Sequence, residues 1–206
     1  MTASKITTFI FDFGGVVIDW NPRNLYRHYF PGQPQAMEQF LAEINFAEWN
    51  LLQDKGRPFA EGVAELSAKY PQYASLIRAY HEHWEESIGE PLTGTIEIVR
   101  KLKGAGYLVY GLSNWSAETF PITRRKHDFF DLFDGFIISG EVNLVKPDPA
   151  IFNLLLQRIG GEAHECLLID DAPANVEAAQ KLGFQTILFT SPDQLQIELQ
   201  KFNILL

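Results

Sequence analysis

Phe9-Ile10-Phe11-Asp12-Phe13-Gly14-Gly15-Val16 reads as a strand that ends on an acid and then turns on two glycines. Working back from Asp12, the β-branched and aromatic run extends to Ile6, so Ile6 to Phe11 predicts a strand without polar alternation. The same kind of run recurs at Tyr107 to Leu112, Gly135 to Ser139, Leu167 to Ile169 and Thr186 to Phe189. Runs of this type suit parallel strands covered on both faces. Helical patterns separate them. Leu92 to Lys103 places Ile96, Val99 and Leu102 on one stripe, ahead of Gly104 and Gly106. Asp148-Pro149 opens a helix with Ile151, Phe152, Leu155 and Ile159 on its apolar face and Gly160-Gly161 as its stop. Ala172 to Leu182 ends at Gly183, a C-terminal cap. Strand and helix in alternation imply βαβ units, hence an α/β fold with a Rossmann-like parallel sheet and helices on both faces.

One segment breaks the rhythm. Between the first strand and Glu90 the sequence predicts no strand and only helical pieces, at Pro22 to Phe30, Gln35 to Ile44, Pro58 to Tyr70 and Gln72 to Ser87. The stretch is rich in aromatics, among them Trp20, Tyr26, Phe40, Trp49, Tyr80 and Trp84, which read as core rather than as a substrate cage. It is expected to form a small all-helical cap over residues 18–88, inserted into a core domain of residues 1–17 and 89–206.

The bulk numbers narrow the function classes. With 206 residues, the chain allows one domain or one plus an insert, and it can bury a full core without disulfides or structural metal. The single cysteine, Cys166, precedes an apolar run and reads as a buried, inert thiol, which suits a cytoplasmic location. No export signal and no apolar window long enough to span a membrane is visible. A formal net charge of −9 argues against a nucleic-acid partner, and Arg124-Arg125-Lys126 reads as a solvated helix face. Oligomeric state is not legible.

Four polar elements sit where apolar strands end: Asp12 with Gly14 and Gly15; Ser113-Asn114; Lys146-Pro147-Asp148-Pro149, in the loop after Gly140-Glu141; and Asp170-Asp171, with Asn175 one helical turn beyond. In an open parallel sheet, ligands bind beyond the carboxyl ends of the strands. Three strands would therefore bring Asp12, Ser113 and the Asp170-Asp171 pair to one edge. Three carboxylates together repel one another, and a hard divalent cation with oxygen ligands relieves that repulsion. A cation beside Lys146 suits a phosphate, whose oxygens carry transition-state charge.

In this order and on these strand ends, the four elements resemble the motifs of the haloacid dehalogenase-like superfamily of hydrolases, and the insert resembles its helical C1-type cap. The resemblance covers nearly the whole chain. It implies a Mg²⁺-dependent phosphatase acting on a small phosphomonoester. Asp12 would be nucleophile, passing through an aspartyl-phosphate, and metal ligand. The Gly14 carbonyl and Asp171 would be further ligands. Asp170 would bind the metal directly or through water, and Asn175 would orient that loop. Ser113 and the Asn114 backbone would bind phosphate, and Lys146 would neutralise both phosphate and Asp12. One departure stands out: phosphatases of this superfamily usually carry a second aspartate two residues after the nucleophile, as general acid and base, and this chain has Gly14 there. The branch that includes α-D-glucose-1-phosphate phosphatase shares that glycine, so the resemblance points to a sugar phosphate. Asp19, His28 and Glu48 are the cap residues considered as substitute proton donors. The competing readings are a haloacid dehalogenase, a phosphometabolite-binding protein with weak or no turnover, and a phospho-acceptor receiver domain, the last opposed by chain length, insert and motif order.

Overall fold

The computed structural model describes residues 6–205; the ends of the expected core domain, residues 1–5 and 206, lie outside them. Five strands form one parallel sheet: β1 (Thr8–Phe11), β4 (Leu108–Ser113), β5 (Gly135–Ile138), β6 (Cys166–Asp170) and β7 (Gln185–Leu188), in the order β5-β4-β1-β6-β7. β1 lies in the middle, paired to β4 through Phe11↔Gly111 and to β6 through Phe11↔Ile169. Every residue of β1 and β6 is buried, which explains why both read as unbroken apolar runs.

Alternate side chains point to opposite faces of a strand. Phe9 and Phe11 accordingly join one core, together with Ile96, Val99 and Leu102 of helix α6 (Thr93–Gly104) and Leu195 and Leu199 of helix α11 (Pro192–Lys201). Ile10 faces the other core, with Ile151, Phe152 and Leu155 of α9 (Pro149–Ile159) and Ala179 of α10 (Pro173–Lys181). The helix signals act as read. The Asp148 side chain caps α9 by accepting from the Ala150 N–H, and Gly160 closes it at a φ of 69°.

Between β1 and α6 the chain forms mostly helix: α1 (Pro22–Tyr26), α2 (Pro34–Glu43), α3 (Phe46–Asp54), α4 (Phe59–Lys69) and α5 (Ala74–Glu82). Tyr26, Phe40, Phe46, Trp49, Phe59 and Tyr80 pack there ring against ring, Phe46 on Tyr80 edge-to-face at 4.9 Å. The structure differs from the sequence reading in several places. Two short strands, β2 (Ile18–Trp20) and β3 (Ile88–Pro91), pair antiparallel where no strand was expected; at three and four residues they are too short to show a two-residue period. The piece from Gln72 to Ser87 is α5 between two 3₁₀ turns, and α1 stops at Tyr26 because His28 and Tyr29 bond three residues back. Helix α3 was not anticipated, nor were α11 and the short helix α8 (Ser139–Val142), and α7 (Phe120–Arg124) holds only the first residue of the basic run read as a helix face.

Candidate active site

The turn after β1 builds the floor of the site. Val17 and Ile18 both donate their backbone N–H to the Phe13 carbonyl, and Gly15 N–H bonds back to Ile18 O. The chain thus curls tightly beneath Asp12. Gly15 is required twice over. Its φ is +75°, and a Cβ there would lie 2.4 Å from Asp171 Oδ2. β1 delivers Asp12 just past its last residue, β4 ends on Ser113, and β6 ends on Asp170. The central edge of the sheet therefore presents all three together.

The Asp12 carboxylate is held on both oxygens. Oδ1 accepts from Ser113 Oγ at 2.6 Å and from the Phe13 N–H at 2.7 Å. Oδ2 lies 3.0 Å from Lys146 Nζ. Lys146 is fully buried and also reaches Asp170 Oδ2 at 2.6 Å, so one ammonium bridges two carboxylates. Burial works against the charge on Lys146, but Asp12 and Asp170 more than offset it and hold the ammonium above its usual range. Burial pushes the Asp12 carboxyl up to about 6. Lys146 and the Ser113 hydroxyl pull it down, whereas Asp170 and Asp171 push it up.

Asp170 is saturated. Oδ1 accepts from Ala172 N–H and Asn175 Nδ2, both at 2.9 Å, while Oδ2 takes Lys146 and a longer contact from Asn175. Asp171 is exposed as a residue, but partial desolvation of its carboxyl, and after it the Asp170 charge, raise its pKa. Asp12, Asp170 and Asp171 each offer an oxygen within 4.8 Å of the others. Such a crowded all-oxygen donor set fits a hard divalent cation. Asn114 clasps the Lys146 main chain from the side: its Oδ1 accepts the Lys146 N–H at 2.8 Å and its Nδ2 donates to the Lys146 carbonyl at 2.9 Å.

A cavity of about 470 Å³ opens above these groups. Asp12, Gly14, Ser113, Asn114, Lys146, Asp171 and Asn175 all line it; Asp170 lies behind, reached through Lys146 and Asn175. Trp20, Ala47, Leu51 and Trp115 give the wall its apolar part. None of the three cap residues considered as proton donors lies on that wall. His28 is exposed, Glu48 is exposed and bonded by Asn45, and Asp19 accepts from Asn24 at 3.0 Å. Two polar cap residues that the sequence reading passed over do line it: Asn50 and Asp54 of α3. Their spacing of four places both on one helix face, and this was the available signal.

The family model described as "haloacid dehalogenase-like hydrolase" matches residues 6–183. The sesquiterpene phosphatase astK of Aspergillus oryzae is 29% identical over 204 residues, covering 95% of this chain and 97% of the relative. The pyrophosphatase PpaX of Bacillus velezensis is 27% identical over 194 residues, covering 90% of this chain and 84% of the relative. A HAD family enzyme of Bacteroides thetaiotaomicron, crystallised with magnesium and inorganic phosphate, superposes with a TM-score of 0.69 at 25% identity, covering 90% of this chain and 95% of that one.

Proposed function

Because the chain belongs to the haloacid dehalogenase-like hydrolases, we propose that it is a Mg²⁺-dependent phosphatase that cleaves small phosphomonoesters by nucleophilic attack of Asp12. The observation that carries this reading is the bridging of Asp12 and Asp170 by the buried Lys146 beside the exposed Asp171. That arrangement leaves a carboxylate nucleophile facing a cation-ready cavity. The Bacteroides enzyme bound to magnesium and phosphate, and the phosphatases among the relatives, support it.

Asp12, Asp171 and the Gly14 carbonyl would hold the Mg²⁺, which supplies neutralisation of the crowded carboxylates and of charge on the phosphoryl oxygens. Ser113, the Asn114 backbone N–H and Lys146 would hold the remaining phosphoryl oxygens. Asp12 would attack phosphorus to give an aspartyl-phosphate, and water would then release phosphate and restore the carboxylate. Since the acceptor positions of Asp170 are filled by Lys146, Ala172 and Asn175, we assign it the positioning of Lys146 and of the loop bearing Asp171.

The sequence resemblance points to a sugar phosphate as substrate. The wall formed by Trp20, Ala47, Leu51 and Trp115 favours an ester with an apolar organic part, which would cover that apolar surface on binding. The relative named as a sesquiterpene phosphatase is in keeping with that preference. A dehalogenase needs no metal, whereas Asp170-Asp171 add acidic oxygens around Asp12.

The test is a screen of sugar phosphates, aryl phosphates and isoprenoid monophosphates with pure protein. Phosphate release that is abolished by EDTA and restored by Mg²⁺ is the expected result, with the isoprenoid esters preferred. No turnover of any ester with Mg²⁺, or halide release from a 2-haloacid without metal, would overturn the reading.

A further inference from the structure

Gly14 leaves no side chain to protonate the leaving group, and the turn does not explain that absence sterically. A Cβ at position 14 would have Trp20 Cβ, at 3.6 Å, as its nearest neighbour, an ordinary contact. The opposite wall carries a carboxyl. Asp54, at the last position of α3, lines the same cavity as Asp12 and Ser113 and is close enough to Asp12 for the two charges to repel.

Asp54 is held in place from its own helix and from outside it. Its Oδ2 accepts from Asn50 Nδ2 at 2.8 Å, and Asn50 Oδ1 in turn accepts from the fully buried Tyr80 hydroxyl at 3.0 Å. Burial first, and the Asp54 charge second, keep that phenol far above its usual pKa, so it remains a donor and fixes the Asn50 amide. From the other side, Ser139 Oγ donates to the Asp54 carbonyl, and the Ser116 backbone N–H lies near enough to the Asp54 carboxyl to favour its charged form. A carboxyl anchored this way on a cavity wall is preorganised for work on whatever fills the cavity.

Resting on the phosphatase reading above, we propose that Asp54 is the catalytic proton donor and acceptor of this enzyme, supplied from the helical segment in place of the acid that Gly14 lacks. As Asp12 forms its bond to phosphorus, the bond from phosphorus to the ester oxygen breaks. The departing electron pair takes the proton from the Asp54 carboxyl, releasing the alcohol. In the second half, the Asp54 carboxylate removes a proton from water as the water oxygen attacks phosphorus. The bond from phosphorus to Asp12 breaks with its electrons returning to that carboxylate. Phosphate leaves, and Asp54 is protonated again. Burial pushes the Asp54 carboxyl up to about 7, opposed by the Ser116 N–H and helped by Asp12, and an acid–base group does this work best with a pKa near the operating pH. Asn50 and Tyr80 are positioning residues that hold it.

The experiment compares kcat/KM of wild type, Asp54→Asn and the double variant Asp54→Asn/Gly14→Asp, all with Mg²⁺. The substrates are 4-nitrophenyl phosphate, whose leaving group needs no proton, and a primary alkyl phosphate, whose leaving group does. For Asp54→Asn the alkyl ester should lose about 10²–10⁴-fold, the aryl ester less than about tenfold, and the double variant should regain much of the alkyl activity. Equal losses on both esters without recovery, or an undiminished alkyl rate, would overturn the assignment while leaving the phosphatase reading intact. Wild-type protein inactive on both esters would overturn both.

Discussion

The Asn114 side chain and the Lys146 main chain form a closed pair: Asn114 accepts the Lys146 N–H and donates to the Lys146 carbonyl. The tip of β4 and the loop before α9 are thereby fastened to each other beside Asp12. The account predicts that Asn114→Ala loses about 10–100-fold in kcat/KM, the range seen when a group that supports an active residue is removed. Losing two hydrogen bonds also costs about 2 kcal/mol, seen as a Tm lowered by roughly 4–8 °C. Unchanged turnover with a lowered Tm would reduce the clasp to a structural role.

Lys146 has no solvent exposure on its side chain and neutralises two carboxylates, one of them, Asp170, equally buried. Removing one partner of a buried pair strands the other. Lys146→Met should therefore lose about 3–5 kcal/mol in urea unfolding near neutral pH, besides its activity. A loss of about 1 kcal/mol or less, the size of an exposed pair, would contradict the charge arrangement described.

Gly15 and Gly14 should respond differently to alanine. At position 15 the new Cβ meets Asp171 Oδ2 at 2.4 Å on a backbone of positive φ, and at position 14 it meets Trp20 Cβ at 3.6 Å. Gly15→Ala is expected to cost about 1–2 kcal/mol from conformation alone and to weaken Mg²⁺ binding by displacing Asp171. Gly14→Ala should leave Tm nearly unchanged. Thermal melts with and without Mg²⁺ separate the two effects, and equal behaviour of the two variants would contradict the turn geometry.

These positions show where the sequence was legible. β1 and β6 are covered on both faces, so their apolar runs stood out, and the polar residues at their ends marked the site directly. Lys146 was legible as a charge beside the carboxylates, but its clasp by Asn114 was not, because nothing in one sequence pairs residues 32 apart. Helix α3 escaped notice because its burial inverts the usual pattern. Asn50 and Gln53 are buried while Leu52 is exposed, and Gln53 is satisfied by the Trp49 carbonyl and by Arg57. An apolar stripe was absent, so the helix that carries Asp54 was not drawn.

Asp54 should also leave a mark on stability. Its folded-state pKa is raised from the ordinary carboxylate range to about 7, by burial first and by Asp12 last, against the Ser116 N–H; the other titratable group coupled to it is the Tyr80 phenol. A raised folded-state pKa means stability that is present below the unfolded value and lost as pH rises through the folded one. Between the two values the folded state binds the extra proton, so the slope with pH is negative. Asp54→Asn carries no such loss. Without added metal, its Tm relative to wild type should rise between about pH 5 and about pH 8. The same difference at both values would contradict the buried setting of this carboxyl.

The central claim is that the Asp12 carboxylate attacks phosphorus. The most direct test is acid quenching of the enzyme during turnover with Mg²⁺ and a phosphomonoester, followed by peptide mass spectrometry. The account predicts the added mass of one phosphoryl group on the peptide containing Asp12, absent from Asp12→Asn, which should fold and lose nearly all turnover. Phosphate release by an Asp12→Asn protein at the wild-type rate, or a phosphoryl group trapped on another residue, would contradict it.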